Sequence, residues 1–248
     1  MRILLAIVIA GLSLGAVAQD DGVAEKIMGA MASDIRTEAD LARDRNRKPV
    51  ETLEFFQLTD DMRVIELLPG GGWYTKLLAP VLRENGELYV AIGTDSVQQN
   101  LLPQAEFDHI KVIDIGVSTE RAGQFGSNSI PAFEFGVTGL DLAVTFRNMH
   151  NFTPEGRANI NAAVYSALRS GGLYGVIDHS LRHMEPRTRE NRRRADVVQI
   201  IKEAQETGFE LVDYSDLHYR PDDELRYEVG RASVTGNTDR FTLLFRKP

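Results

Sequence analysis

The sequence predicts an α/β protein with a mostly parallel sheet of seven strands, in which one strand near the C-terminus runs antiparallel. Runs of branched apolar residues, typical of buried strands, alternate with helical patterns from residue 62 onward. The first unit reads strand, glycine turn, helix, which is how nucleotide-binding α/β sheets begin. The final two strands have no helical pattern between them, so we expect them to pair as a hairpin.

Each predicted strand is a short apolar run, and most connections between strands carry a helical pattern. The first strand contains Val64 and Ile65, and the others span 88–92, 110–115, 140–146, 173–177, 209–213 and 241–245. Helices are predicted at 76–83, 96–106, 154–168 and 197–207. Thr153 followed by Pro154 is a start signal for the third helix, because a hydroxyl caps the helix and proline suits its first position.

The composition is that of an ordinary globular protein with an acidic balance. Of 248 residues, 43% are hydrophobic and 26% charged, and the formal net charge is -8. Binding to nucleic acid needs a surplus of Lys and Arg, so nucleic acid is excluded as a main partner. The chain has no cysteine, which excludes thiolate nucleophiles, disulfides and cysteine-based zinc sites.

The first 18 residues have the pattern of a secretory signal. Arg2 gives a positive start, 3–14 form an apolar core, and Ala16-Val17-Ala18 is a small-residue cleavage site before Gln19. The apolar run is short for a membrane span. We therefore expect cleavage after Ala18, no stable membrane insertion of the mature chain, and a periplasmic or secreted location. A cytoplasmic location would follow if the segment were not processed.

Residues 19–58 predict a polar, helical lead-in before the sheet domain at 59–248. A charge-dense run at 43–49 is either a solvated helix and turn, as most charge runs are, or a lid whose arginines close over a ligand. A short helix after this run would bring Phe55 and Phe56 to the core.

The clearest chemical signal is the turn after the first strand, where Glu66 precedes three glycines at 70–72. A dinucleotide fingerprint needs a further glycine where Thr75 stands, which disfavours a nicotinamide oxidoreductase. A turn that binds S-adenosylmethionine has an acid followed by alternating glycines. Glu66 and two of the glycines fit that frame, and Leu68 replaces the first glycine. A carboxylate here can pair with a cationic amino-acid moiety, although a glycine turn without any ligand is the alternative.

Three sequence blocks carry a family resemblance. They are Glu66-x-x-Pro69-Gly70-Gly71-Gly72-Trp73-Tyr74-Thr75, Thr145-Phe146-Arg147-Asn148-x-His150-Asn151 and Asp239-Arg240-x-Thr242-Leu243-x-Phe245-x-Lys247-Pro248. The chain resembles predicted bacterial class I S-adenosylmethionine-dependent methyltransferases, whose members often carry signal peptides. The resemblance implies a Rossmann-like methyltransferase fold, S-adenosylmethionine as cofactor, and methyl transfer to an acceptor that it does not specify.

In an open α/β sheet the ligand lies at the carboxyl ends of the strands, so the cofactor is assigned to residues that follow them. The methionine part is expected to contact Glu66, Pro69, Gly70, Gly71, Gly72, Tyr74 and Thr75. Asp95 is a candidate for the ribose hydroxyls or, equally, a helix N-cap. Asp114 is a candidate for the adenine amino group or an ordinary loop residue. Arg147 is assigned to the same site, although it can also bind an acidic substrate or a surface carboxylate.

Asn148 and His150 are the candidates for catalysis, because they follow the fourth strand, which in this fold faces the methyl group. Methyl transfer needs positioning above all, plus a base when the acceptor is a hydroxyl or an ammonium. His150 can be that base and Asn148 can position the acceptor, whereas a lone histidine is more often a structural hydrogen-bonder. No metal site is expected. The basic run 187–194 is either a solvated helix start or a flap that attracts an anionic acceptor.

Two functional classes therefore compete. The first is a methyltransferase with a small-molecule acceptor. The second is a non-catalytic periplasmic binding or interaction protein on the same scaffold, since fold does not fix chemistry. Leu68 in place of a glycine favours the second class, and Glu66 with Gly72 favours the first. Export would separate the chain from a cofactor made in the cytosol, and the sequence leaves the oligomeric state open.

Overall fold

A computed structural model describes residues 21–248, so the predicted secretory signal lies outside the described residues. In chain order the elements are α1 (Asp21–Met31), α2 (Glu38–Leu41), α3 (Asp44–Arg47), α4 (Pro49–Phe55), β1 (Arg63–Leu67), α5 (Thr75–Leu82), β2 (Glu87–Ala91), α6 (Asp95–Asn100), β3 (Lys111–Ile113), β4 (Glu120–Arg121), β5 (Asn128–Ser129), β6 (Leu140–Phe146), α7 (Pro154–Ala167), β7 (Leu168–Leu181), β8 (Ala195–Asp196), α8 (Val197–Thr207), β9 (Glu210–Ser215) and β10 (Arg240–Arg246).

Seven strands form the main sheet, in the order β3-β2-β1-β6-β7-β10-β9, with the short β8 paired to β7. The first five strands of this order pair in parallel, whereas β10 pairs antiparallel with both β7 and β9. Residues 216–239, which join β9 to β10, contain turns and no helix. The predicted α/β class, with one antiparallel strand near the C-terminus, is confirmed.

Both faces of the sheet are buried, as expected when helices cover parallel strands on each side. Along β1, Val64 joins a core with side chains of α1, α4 and α5. Ile65 and Leu67 point the other way, into a core with α7 and α8. Gly175 on β7 makes room for Phe56, since a Cβ at this glycine would lie 2.8 Å from the ring.

The described part of the lead-in consists of α1 to α4 joined by turns. Phe56 after α4 is fully buried, as predicted, and Phe55 is partly buried against the same core. The predicted extent of the helix over 96–106 is wrong. α6 ends at Asn100, and a separate 3-10 turn follows at Ala105–Phe107. Pro103 explains the break, because proline disfavours helical backbone in the residue before it and lacks an N–H of its own. Within residues 21–248, no helix combines the length and apolarity needed to span a bilayer.

Candidate functional site

Three neighbouring strands end in left-handed backbone at residues other than glycine. Leu68 after β1, Ile92 after β2 and Arg147 after β6 have φ of 53°, 63° and 66°. Such conformations cost on the order of 1–3 kcal/mol each and collect at functional sites. Leu68 stands where an alternating-glycine turn has its first glycine, and its backbone takes a conformation that favours glycine. The substitution in the motif therefore changes the side chain and leaves the path of the turn intact.

The three glycines of the turn have different surroundings. A Cβ on Gly70 or Gly71 would meet no atom of the described residues within 4 Å, so both present open backbone. Gly72 has φ of 76°, and a Cβ there would clash with the buried side chain of Leu101. Gly72 thus combines left-handed backbone with a close approach to Leu101 at the end of α6, whereas Gly70 and Gly71 leave room for a ligand.

A cavity of about 180 Å³, the turn cavity, lies against Gly70 and Gly71. Of the residues assigned to the cofactor, those that line it are Glu66, Pro69, Gly70, Gly71, Tyr74 and Arg147. Gly72 and Thr75 do not line it, but the fully buried Thr75 contacts Glu66. The structure thus brings together most of the methionine-end residues that were predicted from one continuous stretch.

Glu66 is a buried carboxylate on the wall of the turn cavity, and only 2% of its surface is exposed. The Oγ1 hydroxyl of Thr75 donates to its Oε2 at 2.6 Å. Burial raises the pKa of Glu66 to about 7, because the hydrogen bond from Thr75 and the charge of Arg47 offset only part of the desolvation. A cation placed in the cavity would restore the ionised form.

Aromatic rings and arginines form the rest of the wall. The ring of Tyr74 stacks on Phe146 with centroids 3.5 Å apart, and the guanidinium of Arg47 lies 4.3 Å from the centroid of Trp73. Arg47 is 5% exposed, and burial together with the nearby Arg147 lowers its pKa to about 9. Burial also lowers the pKa of Arg147.

Asp95 and Asp114 lie away from the turn cavity. Both are exposed and neither lines it. Asp95 is also not the helix cap, since Thr94 holds the N-cap position of α6. The carboxylate of Asp114 accepts from the backbone N–H of Gly116 at 2.9 Å, which is a local turn contact. The left-handed residues that follow β2 turn the chain before Asp95 is reached.

Asn148 lines the turn cavity, whereas His150 does not. The amide of Asn148 donates to the carbonyl of Leu68 at 3.1 Å and so holds the turn. The fully buried Asp178 accepts from Nδ1 of His150 at 2.6 Å and from its backbone N–H at 2.8 Å. This contact keeps the proton of a neutral imidazole on Nδ1 and leaves Nε2 as the acceptor. His150 lines a separate cavity together with Arg187.

A larger cavity of about 580 Å³, the arginine cavity, adjoins the turn cavity and shares Arg43, Arg47 and Arg147 with it. His179 lines it, and its Nδ1 lies 2.9 Å from the hydroxyl of Thr238. Burial and the charge of Arg240 hold the pKa of His179 well below its usual range. The imidazole therefore contributes hydrogen bonding and no charge to this wall.

The basic run 187–194 is not the solvated helix start considered above. The next helix begins only at Val197, and Arg194 is fully buried in a bidentate pair with Asp223. Arg187 donates to the carbonyl of His150 at 3.0 Å. Arg187 and Arg194 thus tie the two ends of the run to the segment after β6 and to the C-terminal segment, whereas the arginines at 189, 192 and 193 are exposed.

Residues far apart in the chain complete the site, and some of them carry little signal in the sequence. Arg43 and Arg47 come from the lead-in, where the lid interpretation anticipated arginines near a ligand. Arg240, at the start of β10, reaches the arginine cavity from the other end of the chain. Its position in the third resemblance block is the one signal that singles it out.

No protein-family model and no curated protein matches the sequence. Solved structures do match. A SAM-dependent methyltransferase from Aquifex aeolicus aligns with a TM-score of 0.58 and 13% identity over 91% of this chain and 98% of that chain. The glycopeptide N-methyltransferase MtfA complexed with sinefungin aligns with a TM-score of 0.53 and 13% identity over 83% of this chain and 94% of its own.

A protein named for another reaction matches as well. The [4+2]-cyclase SpnF aligns with a TM-score of 0.52 and 14% identity over 82% of this chain and 80% of that chain. At these identities the similarity shows the fold, and the chain has the predicted Rossmann-like methyltransferase fold. The fold alone does not select the reaction, because a methyltransferase and a cyclase both share it.

Proposed function

We propose that this protein is an S-adenosylmethionine-dependent methyltransferase that acts on a small-molecule acceptor. The observation that carries the proposal is the buried carboxylate of Glu66 beside the open backbone of Gly70 and Gly71, at the carboxyl end of a central strand. Ligands of open α/β sheets bind at this position. The binding of sinefungin by MtfA, which has the same fold, supports the same ligand class here.

The residues present fit the amino-acid end of this cofactor. Glu66 can accept from its ammonium group, and Arg43 or Arg47 can donate to its carboxylate. The turn cavity, at about 180 Å³, is smaller than the roughly 300–1,000 Å³ of a pocket for a whole drug-sized ligand. With Asp95 and Asp114 outside it, the fit covers the amino-acid end.

When bound, the cofactor would supply an electrophilic methyl group on a sulfonium. The contribution of the chain is positioning, which is the main requirement of such a displacement. Thr75 orients Glu66, and Asn148 fixes the turn through the carbonyl of Leu68. Asn148 is thus a positioning residue. His150, held by Asp178, opens to a different cavity, so direct proton removal by His150 in the turn cavity is not part of the proposal.

Calorimetric titration of the purified protein with S-adenosylhomocysteine tests the proposal. We expect binding by the wild type and roughly 10-fold or greater weakening in Glu66→Gln, because a hydrogen bond to a charged group contributes about 1.5–3 kcal/mol. Glu84→Gln is the matched control, since Glu84 is exposed and does not line the turn cavity. Absence of heat at millimolar ligand would contradict the proposal and favour a non-catalytic binding protein.

We also propose a periplasmic or secreted location, from the pattern of residues 1–18. N-terminal sequencing of the protein from a periplasmic fraction is expected to begin at Gln19. Recovery of a chain that begins at Met1 from the cytoplasm would contradict this location, and would place the protein where the cofactor is made.

A further inference from the structure

The arginine cavity concentrates positive charge in an acidic protein. Six arginines line it, and no carboxylate of residues 21–248 does: Arg43, Arg45, Arg47, Arg147, Arg193 and Arg240. The chain as a whole has a formal net charge of -8. The local surplus of positive charge therefore needs an explanation.

Most of these arginines lack a carboxylate partner. Arg193 forms an ion pair with Glu228, whereas the other five form none within the part of the chain that the structure describes. Arg43 and Arg45 are exposed at the rim, where an unpaired arginine is ordinary. Arg47 and Arg240 are only 5% and 8% exposed. Unpaired arginines at that depth are rare.

Arg240 has unused hydrogen-bonding capacity. Its Nη1 donates to the carbonyl of Asn46 at 2.8 Å, while its Nε is buried and has no hydrogen-bond partner among residues 21–248. Burial and the charge of Arg147 lower the pKa of Arg240 to about 10. Desolvating a charge is unfavourable unless an opposite charge offsets it. An anion between these side chains would provide that offset.

We propose that the arginine cavity is the acceptor site and takes a small acid that carries two or more negatively charged oxygens, as carboxylates or phosphates. Guanidinium groups bind both kinds of oxygen through paired N–H donors. The volume of about 580 Å³ falls within the roughly 300–1,000 Å³ range of small-molecule sites. Arg147 lines both cavities, so an acid held here adjoins the turn cavity. The role as acceptor rests on the proposed methyltransferase function, but the anion site does not.

Calorimetry of the full chain at low salt tests the anion site, with pyrophosphate as the phosphate probe and malonate as the dicarboxylate probe. We expect the wild type to bind at least one probe. The probe with the higher affinity shows whether the negatively charged oxygens of the ligand belong to phosphates or to carboxylates. Arg240→Met should weaken binding about 10-fold or more, in keeping with a lost charge-assisted contact. Arg45→Met, at the exposed rim where folding is not at risk, should weaken it about 3-fold. Both losses should shrink as salt rises.

Two charge-matched controls locate the effect. Arg246→Met removes an exposed arginine at the other end of β10, and Arg121→Met removes one from the neighbouring cavity that His150 lines. Both should leave binding unchanged. The inference is overturned if neither probe binds to the wild type, or if either control weakens binding as much as Arg240→Met.

Titration with S-adenosylhomocysteine separates this inference from the proposed function. Glu66→Gln should weaken nucleoside binding about 10-fold or more and leave anion binding unchanged, whereas Arg45→Met should weaken anion binding about 3-fold and leave nucleoside binding unchanged. If the protein bound pyrophosphate but not S-adenosylhomocysteine, the proposed methyltransferase function would fail. The role of the arginine cavity as acceptor site, and with it the inference as stated, would then fail too. Binding of S-adenosylhomocysteine with neither anion would overturn the inference alone.

Discussion

Buried arginines in this protein fall into two groups. On the side of α7 and α8, Arg157 forms two hydrogen bonds of 2.6 Å with Glu203. In the C-terminal part, Arg194 forms two of 2.9 Å with Asp223, and both side chains are fully buried. At the cavities, Arg47 and Arg240 are nearly as buried but form no ion pair with a carboxylate of residues 21–248.

The difference separates arginines whose ion pairs stabilise the fold from arginines that are available to bind a ligand. A buried pair is satisfied in the free protein, and removal of one partner leaves the other charge uncompensated. A buried charge without a partner raises the energy of the free protein and can be offset by binding. The same reasoning applies to Glu66, whose raised pKa of about 7 marks a carboxylate without sufficient compensation.

The largest expected effect tests directly whether paired and unpaired buried arginines differ in their contribution to stability. Arg194→Met should lower the free energy of unfolding by about 3–5 kcal/mol, because Asp223 would remain buried and unpaired. Arg240→Met should change it by less than about 1 kcal/mol, since the loss of one hydrogen bond to Asn46 is offset by removal of an unpaired charge. Urea unfolding of both variants measures the two values. Equal decreases in the free energy of unfolding would show that both groups of arginines stabilise the fold to the same extent.

The second prediction extends the comparison to a carboxylate and concerns pH. The pKa of Glu66 is raised by burial to about 7 from 4.5, so the folded state keeps a proton that the unfolded state loses as pH rises through this interval. The contribution of Glu66 to the free energy of unfolding is complete below pH 4.5. It falls by about 3 kcal/mol as pH rises to 7. Glu66→Gln should abolish the decline.

His218 makes the comparison with the variant necessary. Burial lowers the pKa of its imidazole to about 4, which makes stability rise with pH between about 4 and 6.5 and masks the decline from Glu66 in the wild type. The difference in unfolding free energy between the wild type and Glu66→Gln, measured from pH 4.5 to 8, cancels His218. A difference that stays constant over this range would show that Glu66 is ionised throughout.

The sheet was predictable because its signals are local. Strand runs, the cap at Thr153 and the absence of a helix before β10 are each read from a few adjacent residues. The turn cavity was predictable for the same reason, since Glu66 to Tyr74 is one continuous stretch. The error at α6 came from a helical pattern that overran Pro103, whose backbone preference decided the end.

The arginine cavity could not be derived in this way. Arg47 and Arg240 are nearly two hundred positions apart, and their meeting depends on β10 lying beside β7 and on the lead-in packing across the strand ends. Asp95 does not line the turn cavity, and it follows the left-handed Ile92 and Gly93 in the chain. Strand order and backbone turns of this kind leave no periodic pattern in the sequence.

The smallest expected effect concerns backbone strain at the same cavity. Leu68→Gly removes an unfavourable left-handed conformation and also removes a half-buried side chain. Relief of about 1–2 kcal/mol of strain opposes lost packing and the greater freedom of glycine in the unfolded chain. We therefore expect a change in unfolding free energy within about 1 kcal/mol.

Gly72→Ala is the contrasting variant, because its Cβ would enter the buried Leu101 at a left-handed position and cost about 1–3 kcal/mol. If urea unfolding ranks Leu68→Gly as the more damaging change, the leucine is held by its packing, and strain at this strand end is not what distinguishes the cavity.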